Sequence, residues 1–158
     1  MRQGTRGLVT FHLGDFGFGV RVEEIGGLVE AERLAPLPRQ RDGLAGVIAF
    51  RGEMVPVVHL STYLGLDAGP VHGAGYAIVL GRGNERFGLL VPELPKLVAA
   101  RDLRAGEVST EADHELDGLI ESVFQAGEVP YHCLNYWRMF DSIVPPRAAL
   151  APGRIARH

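Results

Sequence analysis

The sequence predicts an all-β protein, mostly strand with short helices, in which one small unit occurs twice. Three observations lead there. Twenty-one glycines and ten prolines are spread along the 158 residues, which favours many short strands and turns over long helices. Apolar residues alternate with period two in several segments, as in half-buried strands. The chain also matches itself: Phe18 to Ile25 corresponds to Phe87 to Leu94, and Leu28-Val29 to Leu97-Val98, at one offset of 69 residues.

Taken in order, Leu8 to Leu13 is the first strand candidate. In the next segment Phe18, Val20 and Val22 fall on one face and Gly19, Arg21 and Glu23 on the other, and Phe87, Leu89 and Val91 repeat that alternation. Glu30 to Leu34, Tyr76 to Leu80 and Leu119 to Phe124 complete the set of candidates outside the central segment. The second half of the unit repeats at a larger offset: Asp42-Gly43-Leu44 matches Asp117-Gly118-Leu119, and Gly52-Glu53 matches Gly127-Glu128, both at 75. Val55-Pro56 then matches Val129-Pro130, Leu60-Ser61 matches Leu134-Asn135, and Tyr63 matches Trp137, all at 74. Such a period exceeds the roughly 20 to 50 residues of solenoid repeats and fits two copies of a small β-unit. Gly17, Gly19, Gly81 and Gly83 read as turn and bulge glycines. Pro56 and Pro130 cannot donate to a ladder and belong on edges or at bulges.

Gly46 to Leu66 is the most informative stretch. Two apolar runs meet across Arg51-Gly52-Glu53, where a glycine can take the positive φ of a tight hairpin, and Ser61 is placed to cap a short helix after the second run. Ile48, Phe50, Met54, Val58 and Leu60 are expected to fill a core, with Val47, Ala49, Val55 and Val57 on a second apolar face. That face either packs on the other copy or a terminal strand, or forms a groove for a partner helix. Asn135 is placed to cap a helix carrying Trp137 and Phe140 on one face, which either seals a barrel seam or joins an interface.

The order Gly46, Val47, Ile48, Phe50, Arg51, Gly52, Val55, Pro56, Val57, Val58, His59, Leu60 resembles the CheW-like family, adaptors that couple chemoreceptors to the CheA histidine kinase. The resemblance covers about residues 7–140 and implies two pseudo-repeated five-stranded β-barrels. We place them at about 7–66 and 76–140, with strand exchange between them possible, followed by a disordered tail at 145–158. It implies a non-enzymatic scaffold whose partners are the regulatory domain of a CheA-type kinase and a chemoreceptor cytoplasmic tip. The alternative is an adaptor of a type IV pilus or other non-flagellar chemosensory pathway. Arg51, Gly52, Ile25 and Leu28 are implied to bind receptor, and Val47, Val55, Val57 and Trp137 are candidates for a partner interface. Three positions depart from the family: His59 stands where an acid is usual, Pro92 replaces a common aspartate, and Gly27 lies near a customary glutamate. If the acid at 59 serves a structural tie, that tie has changed.

Other functions find little support. A net charge of -3, with Lys96 as the only lysine and the arginines scattered, offers no footprint for nucleic acid. Cys133 is the only cysteine, so an intrachain disulfide is excluded. No apolar run nears the roughly 20 residues that span a bilayer, and no leader is recognisable, so a cytoplasmic protein is expected, with arrays on the inner membrane face reached through partners. Gly-x-Ser-x-Gly, phosphate-loop and His-Glu-x-x-His patterns are missing. No catalytic residue, metal or cofactor is expected. The rival reading is a ligand-binding or enzymatic barrel, which requires His59, His132 and Cys133 to converge on a concave site.

Overall fold

A computed structural model describes residues 5–35, 43–66, 75–109, 116 and 118–143. The expected tail at 145–158, most of the loop from Asp67 to Gly75 and the acidic stretch from Glu111 to Glu115 lie outside them. In chain order the elements are β1 (Gly7–Leu13), β2 (Phe16–Arg21), β3 (Ile25–Glu30), β4 (Leu44–Phe50), β5 (Glu53–His59), α1 (Leu60–Leu64), β6 (Tyr76–Arg82), β7 (Glu85–Val91), β8 (Lys96–Ala99), β9 (Arg104–Ala105), β10 (Ile120–Ala126), β11 (Val129–Leu134) and α2 (Tyr136–Ile143). Three-residue 3-10 turns at Val22–Glu24, Ala31–Arg33 and Ala100–Asp102 join some of them. The protein is all-β with short helices. Glu30 to Leu34, expected as a strand, is instead the end of β3 followed by the Ala31–Arg33 turn.

Two sheets form, in the orders β8-β1-β2-β11-β10-β9 and β3-β6-β7-β5-β4. The contiguous division at 7–66 and 76–140 is therefore not how the strands pair. The β1–β2 hairpin of the first copy joins strands of the second, and the β6–β7 hairpin of the second joins strands of the first. The exchange is reciprocal: β3 pairs antiparallel with β6 as β8 does with β1, and β5 pairs parallel with β7 as β11 does with β2. The six-stranded sheet owes its extra member to the two-residue β9, while near the corresponding place in the other sheet stands the single bridge Ala35–Val47.

Hairpin registers decide which side chains are buried. In β1–β2, Phe11 lies opposite Phe18 and Val9 opposite Val20. In β6–β7, Ile78 lies opposite Leu89 and Leu80 opposite Phe87. These two faces meet in one large core that α2 closes with Met139 and Phe140. The other face of β6–β7, with Ala77, Val79 and Leu90, joins Ile48, Val55 and Val57 in a second, smaller core. Strands β6 and β7 are apolar on both faces because each face has a core to fill.

The two-residue turn at Arg51-Gly52 places Phe50 opposite Glu53 and Ile48 opposite Val55. The expectation that Ile48 shares a face with Met54 and Val58 is thus wrong by one residue in β5, and a slip of one residue reverses every side chain. Val55 and Val57 are core residues, 1% and 0% exposed, whereas Met54 is 62% exposed. Neither valine is available to a partner. Val47 is partly buried and tied through its backbone to Ala35.

The parallel pairing of β11 with β2 shows how close the strands come. A Cβ on Gly17 would meet the Pro130 carbonyl oxygen at 2.8 Å and the Tyr131 ring at 2.9 Å, and one on Gly19 would meet Leu8 Cδ1 at 2.9 Å. Neither residue has positive φ, so these are close-approach glycines within a strand and not turn or bulge glycines. Their carbonyls are then bonded from the second copy: His132 Nδ1 donates to Gly17 O at 2.8 Å and Tyr136 Oη to Gly19 O at 2.9 Å. Pro56 and Pro130 both precede the residues at which β7 and β2 pair with their strands, so the missing N–H falls where that neighbour is not bonded.

Phe87 is fully buried, stacked on Phe140 with centroids 4.4 Å apart and edge-on to Trp137 at 4.7 Å. Phe87→Ala should destabilise the protein by about 3–5 kcal/mol, the usual cost of emptying such a site. Chemical denaturation followed by the fluorescence of Trp137 reads this directly. A loss under about 1 kcal/mol would show that the two hairpins do not depend on this aromatic contact.

Candidate functional site

The tip of the β4–β5 hairpin is built by backbone geometry first. Arg51 and Gly52 have φ of 50° and 79°, and positive φ at both central residues is the pattern of the type I′ turn that matches strand twist. Arg51 is the one non-glycine residue with positive φ among the described residues. A side chain in that region costs about 1–3 kcal/mol, so a glycine would be the cheaper choice. In the second copy the two-residue turn between β10 and β11 is Gly127-Glu128, and Gly127 takes φ of 62°. Element ends align the copies here at one offset of 76: Phe50 with Ala126, Arg51 with Gly127, and the pairing of Val57 with Gly88 with that expected of Cys133 beside Gly19. The offsets of 75 and 74 suggested by matching Gly-Glu and Val-Pro pairs are out of register by one or two residues. The place of Arg51 is thus held by Gly127.

The Arg51 guanidinium lies over the Phe50 ring, 5.0 Å from its centroid. Arg86, bonded to Glu53 at 2.7 Å, lies 5.8 Å from the same ring. Phe50 in turn touches β3, since a Cβ on Gly27 would sit 2.5 Å from Phe50 Cε1. The residues implied to bind receptor do not form one patch. Arg51 and Gly52 are exposed at the tip, Leu28 is 46% exposed on β3, and Ile25 is partly buried against the large core. Trp137 is also partly buried, against Phe87, with Arg82 4.2 Å from its ring and bridged to Glu85 and Asp141. The sequence could not show that Phe50 links these parts.

His59 holds the start of the helix that follows β5. It is the N-cap of α1: Nδ1 accepts from the Thr62 N–H at 3.3 Å, with the Thr62 and Ser61 hydroxyls 2.7 Å and 3.2 Å away. Ser61, expected as the cap, lies inside the helix. An accepting Nδ1 requires the tautomer protonated at Nε2. Burial lowers the His59 pKa below its ordinary 6.5, in keeping with an imidazole that must stay neutral to cap. Asn135 caps α2 as expected, accepting from Arg138 N at 3.0 Å.

The convergence that a ligand-binding barrel requires is not found. His59 is occupied at the start of α1, and His132 is buried against Gly17, Phe16 and Phe18 with Nδ1 as donor. Cys133 is buried beside Gly19 and Ser122, and burial pushes its thiol up to about 11, away from reactive thiolate. Among the described residues no group of three or more His, Cys, Asp or Glu side chains is placed to hold a metal.

The match of the family model for the CheW-like domain to residues 7–144 decides the relationship. The chain belongs to the CheW-like family. Its structure is similar to the crystal structure of the scaffolding protein TtCheW from Thermoanaerobacter tengcongensis, with a TM-score of 0.70 and 16% sequence identity over 87% of this chain and 88% of that one. No curated protein matches the chain significantly in sequence. At 16% identity the likeness to TtCheW carries the fold, and in this CheW-like chain the site residues rest on the geometry above. No helix among the described residues is long and apolar enough to cross a membrane.

The His59 cap makes stability depend on pH with a definite sign. Because its folded pKa lies below the unfolded value near 6.5, the unfolded chain binds more protons between the two. The stabilisation is present above about pH 6.5 and is lost as pH falls through the folded pKa. The thermal midpoint of the wild type should drop between about pH 7.5 and about pH 5, and that of His59→Asp, whose carboxylate stays ionised there, should drop less. Equal slopes for the two proteins would rule out the cap as the source.

Proposed function

We propose that the protein is a non-enzymatic adaptor that couples a chemoreceptor to a CheA-type histidine kinase in a bacterial chemosensory system. The observation that carries this reading is membership of the CheW-like family along nearly the whole chain, with both β-units and their exchanged hairpins complete. An adaptor of this build acts by geometry. Its two sheets share one large core and so hold the surfaces of the two halves at fixed separation. A receptor seated on one surface and a kinase regulatory domain on another then shift each other's populations only through differential contacts.

Arg51 is the receptor-side residue in this reading, presented at the tip of a rigid hairpin. Gly52 completes its turn, and exposed Leu28 supplies a separate apolar contact on β3. Trp137 and Val47, both partly buried, are secondary candidates for the kinase side. The protein works in the cytoplasm, at receptor arrays. The departures at His59, Gly27 and Pro92 favour a divergent pathway, such as a pilus-linked one, over a standard flagellar system. His59 caps α1 internally and is no argument against partner binding.

Pull-down with the chemoreceptor cytoplasmic fragments and kinase regulatory domains of the same genome tests the reading. At least one of each should be retained at micromolar concentration, and failure of all would sink it. Arg51→Glu should leave the thermal midpoint within about 2 °C, since exposed substitutions usually change stability by less than about 0.5 kcal/mol. It should reduce receptor retention by at least ~10-fold, as expected for loss of a charge-assisted contact, while kinase retention is unchanged. Undiminished receptor retention would remove Arg51 from the interface.

A further inference from the structure

Among the described arginines, Arg51 is set apart by its left-handed backbone. Arg21, Arg82 and Arg86 each pair with a carboxylate, at 3.4 Å, 2.7 Å and 2.7 Å, whereas Arg33, Arg101, Arg104 and Arg138, like Arg51, do not. Arg51 is exposed, takes the left-handed backbone conformation that its counterpart Gly127 adopts without strain, and has an aromatic ring as its partner. A cation–π contact orients a guanidinium without neutralising it. The charge stays available.

The ring that does this occupies space on β3. A Cβ at position 27 would lie 2.5 Å from Phe50 Cε1 and 2.7 Å from Cζ, distances that real Cβ atoms do not show. Any side chain at 27 therefore forces the Phe50 ring to shift, and a shift of the ring changes its contact with Arg51. Gly27 has an ordinary negative or extended φ, so its backbone does not demand glycine. The demand comes from Phe50 alone. An aromatic at 50 and a side chain at 27 compete for the same space.

We propose that Phe50 is the specificity-determining residue of this hairpin: with Gly27 as its clearance it positions the unneutralised Arg51 guanidinium, so that the site selects a partner presenting a carboxylate. This rests on the adaptor reading for the identity of the partner and on the Gly27–Phe50 contact for the mechanism. Arg86 is already bonded to Glu53 and does not compete for the same acid.

A partner-free experiment tests the mechanism. Gly27→Ala in the wild type should lower the thermal midpoint by ~2–6 °C, because the ring must move. In the Phe50→Leu background the same change should leave the midpoint unchanged or raise it, since replacing a glycine of ordinary φ restricts the unfolded chain. Equal effects in both backgrounds would overturn the proposal.

Binding to the receptor cytoplasmic fragments of the same genome tests the consequence. Phe50→Leu should weaken binding ~2- to 5-fold, the scale of an exposed cation–π contact, and the loss should vanish in an Arg51→Ala background. Additive losses would show that Phe50 does not act through Arg51 and would overturn the role assigned to it. Amide substitution of the fragment's acidic residues should reproduce the Arg51→Ala loss at one position, and tolerance at every acid would overturn the carboxylate assignment. A wild type that binds no fragment overturns the adaptor reading, while the thermal cycle still decides the competition between 27 and 50.

Discussion

The face-to-face packing of the β1–β2 and β6–β7 hairpins is the contact on which the rest of the structure depends. Each hairpin is donated to the other copy's sheet, so neither sheet can form without both halves of the chain. Phe11, Phe18 and Val20 meet Ile78, Leu80, Phe87 and Leu89 in one buried layer, and α2 is laid across it. The arrangement explains why the strongest self-similarity in the sequence falls on β2 and β7. Those strands carry two obligations at once, to a neighbouring strand of the opposite copy and to the shared core.

The two halves share a scaffold and differ at their ends. Offsets of 69 for the hairpins and the turns after them, and 76 for the later strands and helix, superimpose the elements of one copy on the other. On that common frame the first copy places Phe50 and Arg51 where the second has Ala126 and Gly127. The second copy takes the unstrained solution for its turn. The first accepts an arginine in left-handed geometry, which points to a task for that residue because the fold alone is satisfied by glycine.

Two of the departures from the family pattern, His59 and Gly27, have a physical reading in the fold. At His59 an imidazole lone pair accepts at a helix start, as a carboxylate could, and this makes the cap depend on pH. Gly27 and Phe50 are linked sterically, because the Phe50 ring fills the space that a side chain at 27 would need. Two positions far apart in the sequence are a single steric unit in the fold.

The sequence by itself determined the class of the fold, its twofold repetition, a hairpin about Arg51-Gly52-Glu53 and the Asn135 cap. These depend on local rules, namely alternation along a strand, φ at a turn and hydrogen bonding within a helical turn. Alternation shows that a strand has two faces without saying which is inside, so Val55 and Val57 were legible as apolar but not as core. The two-residue turn held that information, since it sets the parity between β4 and β5. Only the tertiary structure decided the exchange of hairpins, the role of Gly17 and Gly19 as close-approach residues, and the link from Gly27 through Phe50 to Arg51. Each of these is a contact between residues distant in the chain, where van der Waals distance and pairing geometry rule, and no local pattern records it.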